Sequence, residues 1–355
     1  MSDPLHTPPP QLPFDSSPRI ARQLNFEFKG KADEYFGIWI SNLFLTIVTL
    51  TLYAPWAKVR RLRYFYGHTQ LEKHNFDYTA LPTRIFVGRM IALGVYFIFY
   101  LLTQLSPEYY LIGLVILMLA VPWLVRSSMR FHARNSKYGN TRFKFDASMG
   151  ESYKVLLKCI LVTVFSLGLL FPVALWWFKR YQFSHLSIGQ FGFQFKAGLS
   201  SFFLAILIPT VLFYVAMVVS IVFLVLAFVV FKDVMEIALG IFVVMYLSAI
   251  LYLGPLIKGY IFKATWNAID VADSPIQTSL NPWRYAWISM TNTIARILTL
   301  GLLSAWAAIR IYRYQIESLS ITFYDDPSHL ITQTQTDFNA VGEELADIFD
   351  LDISL

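Results

Sequence analysis

The longest apolar stretches constrain this chain most. Residues 197–231 contain no charged side chain, and a helix needs about 20 such residues to cross a hydrocarbon core of about 30 Å. Transmembrane β-barrels show short alternating segments instead, so the spans are predicted to be helical. Apolar segments lie near 36–56, 85–103, 109–125, 155–177, 200–230, 236–257 and 286–307. The sequence therefore predicts an all-α polytopic membrane protein with seven apolar helical segments, of which four to seven cross completely.

Charge is scarce and unevenly distributed. Of the 355 residues, 15% are charged, against about 25% in soluble domains. Eight of the 23 acidic residues follow residue 324 and no Lys or Arg follows Arg313, so the preceding part holds 29 bases and 15 acids, a net charge of +14. This excess predicts contact with anionic lipid headgroups on the cytoplasmic side of the membrane.

Composition also divides the chain into three parts. The first 18 residues contain six prolines and no apolar core, so residues 1–23 are predicted to form a disordered tail. Residues 24–324 form the membrane domain, and residues 325–355 form an acidic tail with a cytoplasmic C-terminus. Apolar residues recur at helical spacing in the acidic tail, which suits a segment that recruits a protein partner; disorder is the alternative.

The membrane domain contains an internal repeat. A shift of 250 residues matches Tyr35 with Tyr285, Asn42 with Asn292, Trp56 with Trp306, Arg60 with Arg310 and Arg63 with Arg313. A shift of 117 residues matches Pro55 with Pro172, Arg63 with Arg180, Tyr64 with Tyr181 and His68 with His185. Repeats are therefore predicted near 35–78, 150–195 and 284–323.

Short alternating pieces, with apolar and mostly aromatic residues at every second position, accompany the repeats. They occur at 25–28, 75–78, 141–145, 191–195 and 320–324. Period-two patterns bounded by Gly, Asn or Asp are typical of strands, so we predict short β-strands at the cytoplasmic face. The alternative is a set of aromatic anchors at the level of the lipid headgroups.

The repeated segments 36–56, 155–177 and 286–307 leave two topologies open. If all seven segments cross, many bases around the middle repeat lie outside the cell, which weakens the positive-inside bias. If the three repeated segments enter and leave on one side, nearly every base outside the spans becomes cytoplasmic. Apolar length favours the first topology, because non-helical backbone at membrane depth must be shielded by protein. The charge distribution favours the second.

Aromatic and basic residues follow the repeated segments and predict an interface with lipid. Tryptophan suits the boundary between acyl chains and water, and a basic helix suits an anionic leaflet. The predicted contacts are Trp56, Lys58, Arg60, Arg61, Arg63, Arg180, Trp306, Arg310 and Arg313. A simple positive-inside stop signal is the plainer interpretation of the same residues.

Three polar residues within the apolar segments form a second candidate site. Arg296 is costly in hydrocarbon and normally faces a partner or a wet cavity, while Asn42 and Asn292 are expected to hydrogen-bond between helices. No metal or cofactor is predicted, because His68 and His185 have no Cys or carboxylate cluster at ligand spacing. Catalytic motifs are also missing, so an enzyme is not favoured.

Three segments resemble a known family: "EYFGIWISNLFLTIVTLTLYAPWAKVRRLRYFYGHT", "YGNTRFKFDAS" and "LTLGLLSAWAAIRIYRY". They are similar to the YjgN-like bacterial inner-membrane proteins, a family without an assigned function. The resemblance covers about residues 24–322 and implies a bacterial inner-membrane location, but no substrate or catalytic residue. Departures are Ala305, where the last repeat should have proline, and the lack of Trp directly after Pro172.

The sequence thus predicts a multi-pass membrane protein that acts without catalysis. The favoured function is a scaffold or lipid-organising protein whose basic, aromatic cytoplasmic face binds anionic headgroups. The alternative is a transporter or channel-like protein for a lipid or a small anionic solute, with Arg296 as a contact. No nucleic-acid partner is predicted, and the oligomeric state is left open.

Overall fold

The computed structural model describes residues 22–106, 108–230 and 235–323. These residues form ten helices and ten strands, arranged as five successive units of the same order: a strand, a hairpin of two helices, and a second strand. The first strand of each unit pairs antiparallel with the second, so both ends of every helical hairpin return to the same sheet. We number these units 1 to 5 along the chain.

Units 1, 3 and 5 contain short hairpins, and units 2 and 4 contain long ones. Unit 1 comprises β1 (Arg22–Phe28), α1 (Ala32–Val48), α2 (Ala54–Gly67) and β2 (Thr69–Leu71). Unit 2 comprises β3 (His74–Tyr78), α3 (Pro82–Leu105), α4 (Glu108–Arg134) and β4 (Ser136–Tyr138). Unit 3 comprises β5 (Thr141–Phe145), α5 (Met149–Phe165), α6 (Phe171–Ser184) and β6 (Leu186–Ile188). Unit 4 comprises β7 (Phe191–Phe195), α7 (Leu199–Val230), α8 (Met235–Trp266) and β8 (Ile269–Val271). Unit 5 comprises β9 (Ser274–Thr278), α9 (Pro282–Leu298), α10 (Ser304–Glu317) and β10 (Leu319–Phe323).

The ten strands form a closed barrel. Each strand pairs antiparallel with its neighbours in sequence, and β1 closes the ring by pairing with both β10 and β2. Closure removes the unpaired edges that make open sheets prone to association. The prediction of an all-α protein is therefore wrong, although the chain is mostly helical. All five strand-like pieces found in the sequence are strands, and they share one sheet.

The interior of the barrel is filled with apolar side chains. Alternate residues of the strands point inward, and Phe26, Phe76 and Tyr138 stack there with ring centroids 6.1 and 4.9 Å apart. The Tyr138 hydroxyl donates to the Leu71 carbonyl oxygen at 3.0 Å, and burial raises the pKa of Tyr138 to about 12. Packed aromatic rings stabilise the barrel by apolar burial and leave a solid core along its axis.

The long hairpins supply the membrane spans. By length and composition, four helical stretches can cross a bilayer: Pro82–Gln104, Glu108–Arg134, Leu199–Ala227 and Leu239–Trp266. Almost none of their surface is buried within the protein, as expected for helices surrounded by acyl chains rather than by water. The chain is thus a polytopic membrane protein with four candidate spans.

The short hairpins turn back before they could cross. Their helices have 17 and 14 residues, or about 25 and 21 Å at 1.5 Å per residue, and both ends lie at the barrel. The segments predicted at 36–56, 155–177 and 286–307 are therefore each two helices, and seven single helical segments are not present. This geometry matches the topology in which the repeated segments enter and leave on one side.

Each short hairpin turns through two residues with positive φ. The first is leucine in every case, with φ near 50° at Leu50, Leu167 and Leu300, and the second is Thr51, Gly168 or Gly301. The second residue donates its N–H to a carbonyl five positions back, at 2.7 to 2.8 Å, which is the Schellman end of a helix. The leucines are 84, 92 and 95% exposed, so each tip presents an apolar side chain to the bilayer.

Candidate functional site

A girdle of exposed bases surrounds the helices next to the barrel. Its members lie within about 14 Å of the barrel end of their helix, given 1.5 Å per residue. The basic girdle consists of Lys58, Arg61, Arg84, Arg89, Lys154, Lys158, Lys258 and Arg284. At the opposite ends of the long hairpins, the described residues include two acids, Glu108 and Glu236, and no base. Among the described residues, the basic charge is therefore concentrated on the side of the barrel.

Two arginines predicted to contact lipid donate hydrogen bonds to backbone carbonyl oxygens. They take part in a hydrogen bond that recurs around the ring. In this bond, a side chain of the second helix of one unit donates to a backbone carbonyl oxygen of the next unit, two residues after the first strand of that next unit. The four bonds run from Arg63 Nη2 to Ala80 O (3.0 Å), Arg126 Nε to Ala147 O (2.7 Å), Trp176 Nε1 to Ala197 O (2.8 Å) and Arg313 Nη2 to Gly30 O (2.7 Å). Arg63 and Arg313 thus hold neighbouring units together around the ring.

The junction of units 4 and 5 uses close packing in place of such a bond. A Cβ atom added at Gly259 in α8 would lie 2.9 Å from the Cα atom of Pro282 at the start of α9. The missing side chain lets the two helices approach closely here. All five junctions of the ring are therefore specified by particular residues.

Asn42 and Asn292 each accept a hydrogen bond from an arginine on the other helix of their hairpin. Such interhelical hydrogen bonds were predicted from the sequence. Arg60 Nη1 donates to Asn42 Oδ1 at 3.2 Å, and Arg310 Nη1 donates to Asn292 Oδ1 at 3.0 Å. Asn292 also donates to the Ala307 carbonyl oxygen at 3.0 Å and is only 2% exposed. These pairs pin the two helices of the short hairpins to each other near mid-length.

The remaining predicted contacts lie on outward surfaces. Lys58 and Arg61 are exposed members of the girdle, and Arg180 is exposed with its guanidinium 5.5 Å from the Trp176 ring. Trp56 packs on Phe86 of unit 2 with ring centroids 5.4 Å apart. For these four residues, contact with lipid headgroups stays a prediction.

Arg296 lies near the tip of the unit 5 hairpin. Arg296 is two residues before the end of α9, and Trp306 is two residues after the start of α10. The two residues therefore lie at about the same distance from the hairpin tip. A base in the last turn of a helix interacts favourably with its dipole. The Arg296 Nε atom is buried without a hydrogen-bond partner among the described residues. Asn42 and Asn292 lie about a turn nearer the barrel, so the three residues do not form one site.

One cavity gathers several of the predicted residues. It has a volume of about 580 Å³ and lies between α9, α10 and the start of α1. Its lining comprises Ala32, Arg284, Trp287, Ile288, Trp306, Ile309, Arg310, Arg313, Tyr314 and Glu317. Of these, Trp306, Arg310 and Arg313 were predicted from the sequence. Arg284 and Trp287 were not, because they lie at the start of the last repeat rather than in its basic stretch.

The guanidinium groups of the cavity are held against aromatic rings. Arg310 lies 5.1 Å from the Trp306 ring and Arg284 lies 5.5 Å from the Tyr314 ring, which is the range of cation–π attraction. The only acid, Glu317, lies 3.8 Å from Arg313 Nε. Burial raises the pKa of Glu317, and the charge of Arg313 opposes the rise. The cavity thus has more positive charge than its lining neutralises.

The cavity differs in charge from the matching surfaces of units 1 and 3. There, Glu34 lies 4.0 Å from His68, and Glu151 lies 3.3 Å from His185. The shifts of 250 and 117 residues place Arg284 at the position of both glutamates.

Hydrogen bonds from the Ser148 amide and hydroxyl lower the pKa of Glu151. Within the described parts of the chain, no three potential metal ligands come together.

The fold is that of a polytopic membrane protein with two long hairpins, whose helices are long and apolar enough to span a bilayer, and three short hairpins that begin and end at the barrel. The chain belongs to the family described as bacterial protein of unknown function (DUF898), which it matches over residues 23–348. This confirms the resemblance to YjgN-like proteins found in the sequence.

Three curated relatives are named inner membrane protein YjgN. The chain is 28% identical to the Escherichia coli O157:H7 protein and 29% identical to the Escherichia coli K12 protein, each over 153 residues, or 42% of this chain and 38% of the relative. It is 28% identical to the Salmonella typhimurium LT2 protein over 164 residues, or 41% of each chain. The chain therefore aligns with about two fifths of the length of these relatives. Their names agree with the predicted inner-membrane location. No solved structure matches the chain.

Proposed function

We propose that this protein is a non-enzymatic scaffold that inserts into one leaflet from the side of the barrel and organises anionic lipids around it. One observation carries the proposal: three short hairpins expose apolar tips while both of their ends return to the barrel. Such a hairpin displaces acyl chains mainly in the near leaflet, since it turns before crossing. The basic girdle then lies where the headgroups of that leaflet are, and its charge attracts anionic lipid.

Charge also gives the proposed orientation. The girdle places bases on the barrel side, and the described far ends of the long hairpins carry only Glu108 and Glu236. Membrane proteins retain excess Lys and Arg in the cytoplasm. The barrel is therefore proposed to be cytoplasmic. Because β1 begins and β10 ends in this barrel, the predicted cytoplasmic C-terminus fits the same orientation; the tails predicted at 1–23 and 325–355 lie almost wholly outside the described residues.

The filled barrel favours a scaffold over a channel along its axis. Its core packs Phe, Tyr, Ile and Leu side chains, and a conducting path needs polar groups or water at this point. A scaffold needs the opposite property, which is a rigid closed ring that fixes the directions of five hairpins. The backbone bonds made by Arg63 and Arg313 supply that rigidity at two junctions.

Lipid retention by the purified full-length protein tests the proposal. In the variant Lys58→Gln/Arg61→Gln, the girdle loses two charges that hold no hydrogen bond in the structure. We expect fewer co-purifying anionic lipids per protein, measured by mass spectrometry after extraction in mild detergent. The matched control is Lys73→Gln/Arg142→Gln, which removes two exposed charges from the barrel near its hairpin turns. Equal lipid content in both variants would contradict the scaffold.

The buried Nε atom of Arg296 supports a second candidate, a transporter of an anionic lipid or solute. Its unpaired donor could be satisfied by an anion that passes the tip of the unit 5 hairpin. The test is flux in reconstituted vesicles with the native protein and with Arg296→Ala. A flux that this substitution abolishes, in a folded protein, would favour the transporter over the scaffold.

A further inference from the structure

The unit 5 cavity differs from the rest of the girdle because it brings Arg284 and Arg310 together in one concave surface. Exposed bases elsewhere attract headgroups without shape selection, whereas a cavity of about 580 Å³ lies within the range of ligand pockets, about 300 to 1,000 Å³. We propose that this cavity binds the phosphate headgroup of one anionic phospholipid. The inference rests on the proposed lipid-binding function and assigns it one specific site.

The charge of the cavity suits a phosphate. Arg313 is engaged by Glu317 and by the Gly30 carbonyl oxygen. The Arg284 guanidinium forms no ion pair or hydrogen bond with the described residues, and the Arg310 guanidinium has neutral partners only. The cavity therefore presents two uncompensated guanidinium groups. Arginine binds phosphate oxygens through paired N–H groups, which makes it the preferred residue for such recognition.

Arg310 is fixed before any ligand arrives. Its Nη1 atom donates to Thr291 Oγ1 at 2.8 Å and to Asn292 Oδ1 at 3.0 Å, and its guanidinium lies over the Trp306 ring. The Nε and Nη2 atoms have no acceptor among the described residues. A guanidinium held in this way loses little conformational entropy when it binds an anion.

Units 1 and 3 provide an internal comparison that singles out Arg284. Glutamate stands at its position in both other short hairpins, where it pairs with a histidine, and Ser318 replaces that histidine in unit 5. Unit 5 has thus exchanged an acid for a base beside a cavity. Trp287 likewise stands where units 1 and 3 have Gly37 and Lys154. Both changes alter the cavity and neither is needed for the hairpin itself.

The surroundings favour a lipid over a free anion. Trp287 and Trp306 are both exposed at the cavity, as expected of tryptophans at the membrane boundary. The hairpin tip beyond Trp306 continues with exposed apolar side chains at Ile297, Leu300 and Leu302. A phosphate held by Arg284 and Arg310 would therefore have apolar surface beside it for its acyl chains.

Charge reversal at Arg284 tests the site with little risk to the fold, because it restores the residue found in units 1 and 3. The matched variant is Arg84→Glu. Arg84 and Arg284 are each the third residue of a helix that begins with proline, both are exposed, and both belong to the girdle, but only Arg284 lines the cavity. Both variants should lower diffuse retention of anionic lipid to the same extent.

Binding is measured by native mass spectrometry of the delipidated full-length protein titrated with phosphatidylglycerol, with phosphatidylcholine and inorganic phosphate in parallel. We expect one phosphatidylglycerol to bind more tightly than the rest, and its affinity to fall at least about tenfold in Arg284→Glu and less than about twofold in Arg84→Glu. Equal losses in both variants, or equal binding of phosphatidylcholine, would overturn the site. Competition by inorganic phosphate below millimolar concentration would reassign it to a free anion. Each of these three outcomes refutes only the cavity site, and not the scaffold, provided that the girdle variant Lys58→Gln/Arg61→Gln still loses anionic lipid.

Discussion

Replacement of Asn292 by alanine should destabilise the protein more than the same change at its counterpart Asn42. The Asn292 side chain is 2% exposed, accepts a hydrogen bond from Arg310 at 3.0 Å and donates one to the Ala307 carbonyl oxygen at 3.0 Å. A hydrogen bond to a charged group contributes about 1.5 to 3 kcal/mol and a neutral one about 0.5 to 1.5 kcal/mol. Double-mutant cycles between membrane helices give smaller values, about 0.6 kcal/mol on average.

We therefore expect Asn292→Ala to lower the free energy of unfolding by about 2 to 3 kcal/mol. Arg310 keeps Thr291 Oγ1 as a partner, which limits the loss. Asn42 is 8% exposed, accepts from Arg60 at a longer 3.2 Å, and its amide nitrogen has no acceptor among the described residues. Asn42→Ala should therefore cost about 1 kcal/mol.

Unit 3 suggests the control for this comparison. Cys159 stands at the position of Asn292, and its Sγ atom donates to the Ala174 carbonyl oxygen at 3.3 Å. The variant Asn292→Cys should keep this weaker bond and fall between the two alanine variants. Equilibrium unfolding by sodium dodecyl sulfate in mixed micelles measures all three. Equal costs at Asn42 and Asn292, or a cost below about 0.5 kcal/mol at Asn292, would refute the reasoning.

Three further predictions concern the turns, the pH dependence and the topology. Thr51→Gly should stabilise the protein by about 1 kcal/mol in the same unfolding assay, because a β-branched residue is strained at φ 72°; an unchanged midpoint would contradict this. The lowered pKa of Glu151, caused by hydrogen bonds from Ser148, makes the native protein more stable than Glu151→Gln above the ordinary pKa of 4.5; the difference in melting temperature should shrink as the pH falls from that value through the lowered native pKa, and a difference that does not change with pH would argue otherwise. With the native cysteine replaced by serine, single cysteines at Lys73 and Ser106 should react with an impermeant maleimide in membrane vesicles of opposite orientation, and labelling from the same side would exclude the proposed topology.

The sequence identified five strands and missed five others for a physical reason. The five that it identified carry apolar, mostly aromatic, residues at alternate positions over four or five residues. Four missed strands have only three residues, too few to establish a period of two. The fifth, β9, contains Pro275, which normally argues against a paired strand. Barrel closure depends on these missed strands, so the sequence indicated a small sheet but not its topology.

The turns of the short hairpins could not be predicted from local sequence. Leu50 and Leu167 adopt positive φ, which few residues other than glycine, asparagine and aspartate do. Only the second turn residues Gly168 and Gly301 match the usual preference, and unit 1 has Thr51 there. Charge distribution, a property of the whole chain, favoured the topology that the hairpin geometry matches, and local apolar length did not.

The candidate site was predicted only in part, because the sequence shows which residues are basic but not which acceptors they bind. Arg63 and Arg313 were expected to contact lipid, yet their acceptors are carbonyl oxygens of the next unit around the ring. For Arg313 the acceptor, Gly30, is near the other end of the sequence. Only barrel closure brings these two residues together, so no local pattern could have shown the bond.

The order of the units has a consequence for the symmetry of the molecule. Short and long hairpins alternate along the chain, but a closed ring with an odd number of members cannot alternate throughout. One pair of like neighbours is unavoidable, and here it is units 5 and 1, whose helices α10 and α1 are in contact. In the proposed topology, in which the short hairpins do not cross, a gap two hairpins wide therefore opens in the far leaflet on that side only. The molecule is therefore asymmetric within the membrane plane. The cavity that includes Ala32 of unit 1 lies on the side where the two short hairpins are neighbours.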